Sequence, residues 1–182
     1  MLRRPPVGRR HCADRSRRVS GRNNALVALV AAVVTAAGVA LATPVPVLTL
    51  SDGTTEFVRA LDHAEPLQYS YRQSIYQVTV VEELAREGNA LRIQRVRSSD
   101  IRSIEYFGWK GEPTQSNGFW MEDSPRSVAA DAELVIRITP AGEQALSTSR
   151  WRVVLKPEFG ETVIRVRAQD RPWLLAVLAG AR

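Results

Sequence analysis

The sequence predicts an all-β domain, an antiparallel sandwich or partly open barrel of about 7–9 short strands, behind one N-terminal transmembrane or signal helix. Two observations support this fold class. An apolar run without charge, residues 25–42, follows a segment with eight arginines between residues 3 and 22. Beyond the run, short segments rich in Val, Ile and Tyr alternate with turns that contain Gly, Pro or Asn, the pattern of an antiparallel β protein.

The apolar run determines the expected location of the rest of the chain. At 1.5 Å per residue, a helix over residues 25–42 is about 27 Å long, which is enough to cross the core of a bilayer. Arginines on its N-terminal side favour retention of that end in the cytoplasm, so we expect a single-pass protein in the cell membrane with its C-terminal domain outside. The small residues that end the run also fit a signal-peptidase site, so secretion after cleavage near Ala42 is the alternative.

We therefore expect four segments along the chain. Residues 1–24 form a basic, disordered cytoplasmic leader and residues 25–42 form the anchor or signal-peptide core. A Pro/Val-rich extended linker occupies residues 43–52, and one extracytoplasmic β domain occupies residues 53–182. A domain of this length suits a single hydrophobic core.

The first half of the domain predicts a strand and then a hairpin. Residues 54–61 are the first strand, and residues 67–84 are a β-prone stretch long enough to require a bend or bulge near Gln73-Ser74. Glu87-Gly88-Asn89 is a turn signal. Residues 91–97 then return as the hairpin partner, with a second bulge at Arg95-Val96 where the alternation breaks.

The second half predicts short strands, one helical turn and a further hairpin. The expected elements are an aromatic strand over 118–122, a period-two strand over 133–139, a helical turn over 140–146, and a hairpin of 151–155 with 162–167. In the last of these strands arginines alternate with valines, so one face is expected to be wet. Residues 172–181 are apolar and are expected to form a terminal strand or short helix over the core.

The strongly basic composition belongs to the leader and not to the domain. Of the 25 Lys and Arg residues, eight precede residue 25 and 17 follow residue 42, where 18 of the 19 Asp and Glu residues also lie. The difference of 17 and 18 leaves residues 43–182 with a formal charge of −1, so the exported part of the chain is nearly neutral. Because nucleic-acid-binding domains concentrate cations on themselves, we predict no nucleic-acid partner.

Few residues in the domain offer recognisable chemistry. Cys12 is the single cysteine and lies in the leader, so the domain can form no disulfide and no thiolate metal site. His63 is the single histidine beyond the leader, in a polar segment between Asp62 and Glu65, and no Gly-x-Ser-x-Gly elbow is present. We predict no catalytic residue, no metal site and no cofactor.

Three side chains stand out as candidates for ligand contact. Trp109 and Trp120 flank a Gly/Pro loop, whereas most other aromatic residues are expected in the core. Arg137 lies between apolar residues of a predicted strand, so its guanidinium group must reach either solvent or a carboxylate. Alternatively, Arg137 simply lies on the solvent-exposed face of its strand.

Residues 71–82 resemble the signature of a small family of exported proteins of unknown function, often encoded beside TRAP transporter genes of the TAXI type. That signature is an aromatic residue, one further residue, His-Ser, an aliphatic residue, a short spacer, an aliphatic residue and Glu. The matching residues are Tyr71, Ser74, Ile75, Val80 and Glu82. Gln73 stands where the family has histidine, and Thr79 stands where proline often occurs.

The resemblance extends over roughly residues 48–168, including the later strands at 134–137 and 163–166. It implies an extracytoplasmic β domain that is an accessory to solute uptake, with no established activity. Ser74 and Glu82 would be polar contacts within an otherwise apolar β surface.

Together these features favour a non-enzymatic binding or accessory module. Its expected partners are the lipid bilayer, through residues 25–42, and a membrane transporter or another envelope protein. The residues singled out for binding are Tyr71, Ser74, Glu82, Trp109, Trp120 and Arg137.

Two alternatives remain open at this stage. An exported hydrolase of cell-wall or glycan material would need two acidic side chains about 5–10 Å apart in a cleft lined by Trp109 or Trp120. A structural envelope domain would need no ligand pocket.

Overall fold

Two units follow one another along the chain in the computed structural model, which describes residues 17–61 and 66–180. The first unit ends at Leu41 and the second begins at Ala42. His63 lies outside the described residues, as do Cys12 and most of the predicted leader.

A helix, α1 (Arg17–Ala42), covers the apolar run and part of the arginine-rich segment before it. It ends two residues before Pro44, because a proline disfavours the helical conformation at the residue that precedes it. Thr35 donates its hydroxyl to the carbonyl of Ala31 at 2.8 Å, so this polar group is satisfied within the helix. Of the helices within residues 17–61 and 66–180, none meets both the length and the apolar character needed to cross a membrane. The anchor over residues 25–42 stays a prediction.

Eleven strands, all paired antiparallel, form about half of the rest of the described chain. The elements in order are β1 (Pro44–Ser51), β2 (Glu56–Ala60), β3 (Leu67–Arg72), β4 (Thr79–Glu87), β5 (Ala90–Ser98), α2 (Ile101–Glu105), β6 (Thr114–Ser116), β7 (Phe119–Asp123), β8 (Leu134–Arg137), β9 (Ala145–Ser147), β10 (Arg152–Val154), α3 (Leu155–Phe159), β11 (Val163–Pro172) and α4 (Trp173–Gly180). The predicted antiparallel β class is confirmed. The expected strand number was too low for three reasons. Residues 44–51 were expected as a linker, and residues 67–84 form two strands instead of one. β6 and β9 have only three residues each, too few for a period-two pattern.

The strands form two sheets that share one hydrophobic core. Sheet A has the order β2-β1-β11-β8, and sheet B has the order β10-β9-β3-β4-β5-β7-β6. Buried side chains of both sheets belong to one cluster, which includes Leu48, Leu50, Ile164 and Val166 from sheet A and Leu67, Leu84, Leu146 and Val153 from sheet B. Arg165 and Arg167 alternate with the buried residues of β11, as predicted, and both are ion-paired with Glu133.

The segment expected as an extended linker is a paired strand of sheet A. β1 lies between β2 and β11, and all eight of its residues face a β11 partner. The carbonyl of Pro46 accepts a hydrogen bond from the amide of Leu61 at 3.0 Å. In a strand the amide and carbonyl of one residue point to the same side, so Pro44 and Pro46 turn their missing N–H groups away from β11. Pairing with β11 therefore loses no hydrogen bond.

The long β-prone stretch reverses completely instead of bending. β3 and β4 form an antiparallel hairpin around residues 73–78, where the amide of Gln73 donates to the carbonyl of Val78 at 2.9 Å. The predicted β4–β5 turn at residues 87–89 is present, and Gly88 has a positive φ of 63°. The register shift next to it makes Gln94 the extra residue of β5, one position before the predicted bulge.

The second predicted hairpin, 151–155 with 162–167, was wrong. β10 pairs with β9 in sheet B, whereas β11 pairs with β1 and β8 in sheet A. Leu155 is fully buried and begins α3, which carries the chain from one sheet to the other. β11 gains a longer partner in β1 than the three-residue β10 could offer.

Two other segments are resolved by the structure. The helical turn expected over residues 140–146 is a tight turn followed by β9. The apolar C-terminal segment, for which a strand and a short helix were both open, is the helix α4. It packs on the outer side of sheet A, against β2, β1 and β11.

Candidate functional site

A group of polar side chains lies on the inner face of sheet B where β3 and β4 pair. Tyr69 stands opposite Glu82 and Tyr71 stands opposite Val80, on the same strand face as the core residue Leu67. The two tyrosine rings are 5.1 Å apart between centroids. We call Tyr69, Tyr71, Glu82 and their partner Gln144 the tyrosine–glutamate cluster.

Glu82 is a buried carboxyl group with an altered acidity. Its residue is only 8% exposed, and burial raises its pKa from 4.5 to about 7. The hydroxyl of Tyr71 donates a hydrogen bond to this carboxyl group, which opposes the effect of burial by stabilising the carboxylate. Near neutral pH the carboxyl group is therefore divided between its protonated and ionised forms.

The tyrosines are held in the neutral form. Burial is the main cause that raises the pKa of both Tyr69 and Tyr71. The negative charge of Glu82 is the second cause. A neutral phenol can still donate its proton in a hydrogen bond. Tyr71 therefore acts as a hydrogen-bond donor to Glu82 and not as a base.

Gln144 connects the cluster to the loop after β8. Its side-chain amide donates to the carbonyl of Arg137 at 3.0 Å and accepts from the amide of Thr139 at 3.3 Å. Tyr69 is hydrogen-bonded to the same side chain. A Cβ on Gly142 would lie 2.5 Å from the amide of Gln144, so only glycine allows this close approach.

Gln73 continues the inner face of β3 beyond Tyr71. It is 8% exposed, and its side-chain oxygen has no hydrogen-bond partner among the described residues. This is the position at which the resemblance leads one to expect a histidine.

A groove of about 590 Å³ lies beside the cluster, and Tyr71 forms part of its wall. We call it the β3–β10 groove, because these two strands supply five of its ten lining residues. The others lie at the start of β4, in the loop between β8 and β9, and in α3. Its charged lining residues are Arg72, Glu143, Arg152 and Lys156. Three cationic groups thus face one carboxylate, although the domain as a whole is nearly neutral.

The four charges of the β3–β10 groove are unequally compensated. Arg72 is ion-paired with Glu143 at 3.2 Å, and Lys156 is ion-paired with Glu161 at 3.0 Å. Within residues 17–61 and 66–180, Arg152 takes part in no ion pair. Arg152 is also exposed, so its guanidinium group is available to an anion that enters the groove.

The structure brings together some of the predicted binding residues and separates others. Tyr71 and Glu82 are in contact. Ser74 is exposed in the β3–β4 turn, where its carbonyl accepts from the side-chain amide of Gln77 at 2.6 Å. Arg137 is exposed on β8 in the other sheet.

The two tryptophans are half-buried and lie apart from the β3–β10 groove. Trp120 stands opposite Ser98 in the pairing of β5 with β7, and Trp109 packs on Phe107 at 5.2 Å between ring centroids. Neither residue lines any of the three described cavities.

Acidic side chains also meet at a smaller cavity of about 260 Å³ beside β7. Glu122 accepts the amide of Gly111 at 3.0 Å, and Asp123 is ion-paired with Arg95 at 2.6 Å. The carboxylates of Glu122 and Asp123 are thus engaged by groups of the protein itself, and Glu112 is the third acidic residue of the lining. In the described part of the chain, no cluster of three or more His, Cys, Asp or Glu residues is arranged to hold a metal ion.

Sequence reasoning missed Glu143, Gln144 and Arg152. Each of them lies about 70 residues or more beyond β3, in a short strand or loop without a pattern of its own. The one available signal was the Gly-Glu-Gln order after Pro140, since a glycine before a polar residue is compatible with a tight side-chain approach.

The fold and the site define a class, an antiparallel β domain of two sheets with a buried tyrosine–glutamate cluster beside a cationic groove. No protein-family model, curated protein or solved structure matches the chain.

Proposed function

We propose that the domain is an extracytoplasmic binding module, tethered by residues 25–42, whose β3–β10 groove takes the anionic group of a solute or of a partner chain. The observation that carries the proposal is the excess of three cations over one carboxylate in that groove. Secretion after cleavage near Ala42 is the alternative topology and leaves the groove unchanged.

The chemistry of the groove favours a carboxylate or a phosphate group. Arg152 offers a planar guanidinium group that has no ion-pair partner among the described residues, and such groups bind these anions through two parallel N–H bonds. Arg72 and Lys156 raise the local positive potential, although each is already paired. Val154 and Pro157 add apolar contact area for the rest of the bound molecule.

The tyrosine–glutamate cluster gives the proposed site a second property. Tyr71 forms part of the groove wall, and its hydroxyl is hydrogen-bonded to Glu82, which lies behind that wall. Ionisation of Glu82 adds a negative charge behind the cationic wall. An anion is therefore expected to bind more tightly when Glu82 is protonated.

The resemblance to proteins encoded beside TRAP transporters suggests the setting of this module. An accessory to solute uptake would present an anionic solute, or a transporter segment, to the outer face of the membrane. The outward face of sheet B carries the groove and is where we expect that partner.

A titration of the full chain in lipid nanodiscs tests the proposal. Inorganic phosphate and succinate serve as probes, and calorimetry or NMR measures their affinity. We expect Arg152→Ala to weaken the binding of the stronger probe about tenfold, which is about 1.4 kcal/mol. Glu143→Gln should strengthen it, because this change removes the one carboxylate that lines the groove among the described residues.

Arg137→Ala is the matched control. Arg137 is an exposed strand arginine like Arg152, but it lies in sheet A. Equal losses in the two variants would contradict the proposal, as would the absence of binding by either probe up to about 10 mM.

The hydrolase alternative has less support. Its carboxylate pair would have to face a cleft that Trp109 or Trp120 lines, and the described cavities contain neither residue.

A further inference from the structure

The C-terminal helix α4 is apolar on every side and poorly covered. It contains no charged or hydrogen-bonding side chain other than the indole of Trp173. Leu174 is 41% exposed, Leu175 53% and Leu178 67%, and no residue of the helix is buried. Large aliphatic side chains at such exposure in one short segment indicate a surface that contacts something other than water.

One side of α4 borders sheet A and the other side does not. The helix residues that border the groove between α4 and sheet A are Trp173, Ala176, Val177 and Gly180, and a Cβ on Gly180 would lie 3.6 Å from the carbonyl of Val58. Leu178 follows Leu174 by four residues and Leu175 by three, so the three leucines share the opposite side. These leucines project away from the sheet.

α4 begins beside Thr43, at the start of the second unit of the chain. The amide of Trp173 donates to the carbonyl of Thr43 at 2.9 Å, and Pro44 pairs with Pro172. Thr43 directly follows Ala42, the last residue of the apolar run. If the run spans a bilayer, α4 therefore starts within a few ångströms of the surface of that bilayer.

We propose that α4 lies in the interface of the bilayer that holds residues 25–42, with Leu174, Leu175 and Leu178 buried at the boundary between headgroups and acyl chains. This inference deepens the proposed function and rests on its tethered topology. The lipid surface is the partner because the leucine side has no polar group with which a protein could specify its docking. Trp173, at the N-terminal end of the helix, has the amphipathic ring that is enriched at membrane interfaces.

The proposal gives the domain a fixed orientation. A single point of attachment at Ala42 would leave the orientation of the β domain above the membrane unspecified. A second contact at α4 places β1, β2 and the end of β11 beside the lipid. The opposite end of β11 then points away from the membrane, because Val163 lies nine residues, about 30 Å, along the strand from Pro172.

A spin-label experiment on the full chain in phosphatidylcholine–phosphatidylglycerol vesicles tests this arrangement. In a Cys12→Ser background, Leu178→Cys carries a nitroxide label, and Val163→Cys carries the same label as the matched control. Val163 is 46% exposed and lies on β11 of sheet A, the sheet on which α4 packs. We expect the label at 178 to have a ratio of oxygen to nickel-chelate accessibility about fivefold above that of the label at 163.

Each other outcome overturns the inference in a distinguishable way. Equal accessibility at 178 and 163, in chains that float with the vesicles, removes the α4 contact and leaves the tether. Spin–spin broadening at 178 assigns the leucine side to a second copy of the chain. Failure of the chain to float removes the tether itself, and the proposed topology falls with the inference.

A second variant distinguishes loss of the lipid contact from misfolding of the domain. Leu174→Ser combined with Leu178→Ser changes only exposed side chains, so the urea midpoint of the domain is expected to stay unchanged. The label at 175 in this variant should become accessible to the nickel chelate. Retained protection of that label would contradict a lipid contact through the leucine side.

Discussion

The hydroxyl of Tyr71 donates a hydrogen bond to the carboxyl group of Glu82 from the neighbouring strand, with both side chains on the inner face of sheet B. The carboxyl group is buried, and its pKa is raised to about 7. Since its ordinary pKa is 4.5, the folded chain binds a proton there that the unfolded chain releases between pH 4.5 and about 7. Glu82 therefore lowers the stability of the fold as the pH rises through this range.

Glu82→Gln should remove this pH dependence. The difference between the pKa values of 4.5 and about 7 lowers the free energy of unfolding by about 3 kcal/mol at alkaline pH. Below pH 4 the carboxyl group is protonated in both states, so this loss of stability is absent. The variant is therefore expected to match the wild type at pH 4 and to exceed its free energy of unfolding at pH 8 by about that amount. Urea unfolding followed by circular dichroism from pH 4 to 9 measures the difference. A constant difference across this range would argue against a titrating Glu82.

Tyr71→Phe should act in the opposite direction. It leaves the ring in place and deletes the donor, so the ionised carboxylate loses its hydrogen bond and the pKa of Glu82 rises further. We expect a loss of about 1.5–3 kcal/mol at pH 8, where the carboxylate is charged, and a smaller loss at pH 4. Tyr76→Phe is a control on a half-buried tyrosine of the neighbouring turn. Equal losses at both pH values would show that the hydroxyl serves packing alone.

Ile164→Ala should strongly destabilise the domain. Ile164 is fully buried in β11 and belongs to the cluster shared by both sheets. Removal of its side chain is expected to lower the free energy of unfolding by about 2–5 kcal/mol. Val163→Ala, at the exposed neighbouring position, should change it by less than about 1 kcal/mol. Similar losses would mean that β11 does not present opposite faces to core and solvent.

Gly142→Ala tests the close approach of Gln144. The new Cβ would displace the Gln144 side chain from the carbonyl of Arg137 and the amide of Thr139, at a loss of about 1–3 kcal/mol. In a Gln144→Ala background the same substitution should be nearly neutral, because the group that it meets is gone. A double-mutant cycle by urea unfolding measures this coupling, and additive effects would contradict the proposed contact.

Local sequence patterns were sufficient for the parts of the fold that depend on neighbours in the chain. The turn at Gly88 and the alternation of Arg165 and Arg167 with buried residues follow from local backbone preference and period-two burial. Tyr71 and Glu82 were both singled out from one motif, but their contact was not predicted, because residues 67–84 were expected to bend and not to reverse in a hairpin. The sheet assignment of β10 and β11 could not be predicted in this way. Either strand could have paired with the other, and the partner that each one takes comes from a distant part of the chain.

The sequence by itself determined an antiparallel β domain of nearly neutral charge, preceded by an apolar run and an arginine-rich segment. Only the tertiary structure decided that residues 44–51 form a strand of sheet A and that Arg152, Glu143 and Tyr71 line one groove. It also decided that α4 starts beside Thr43 with its leucines exposed. The physical reason is the same in each case. Hydrophobic periodicity specifies which face of a strand or helix is buried, whereas the choice of partner depends on contacts between residues about 70 to 130 positions apart.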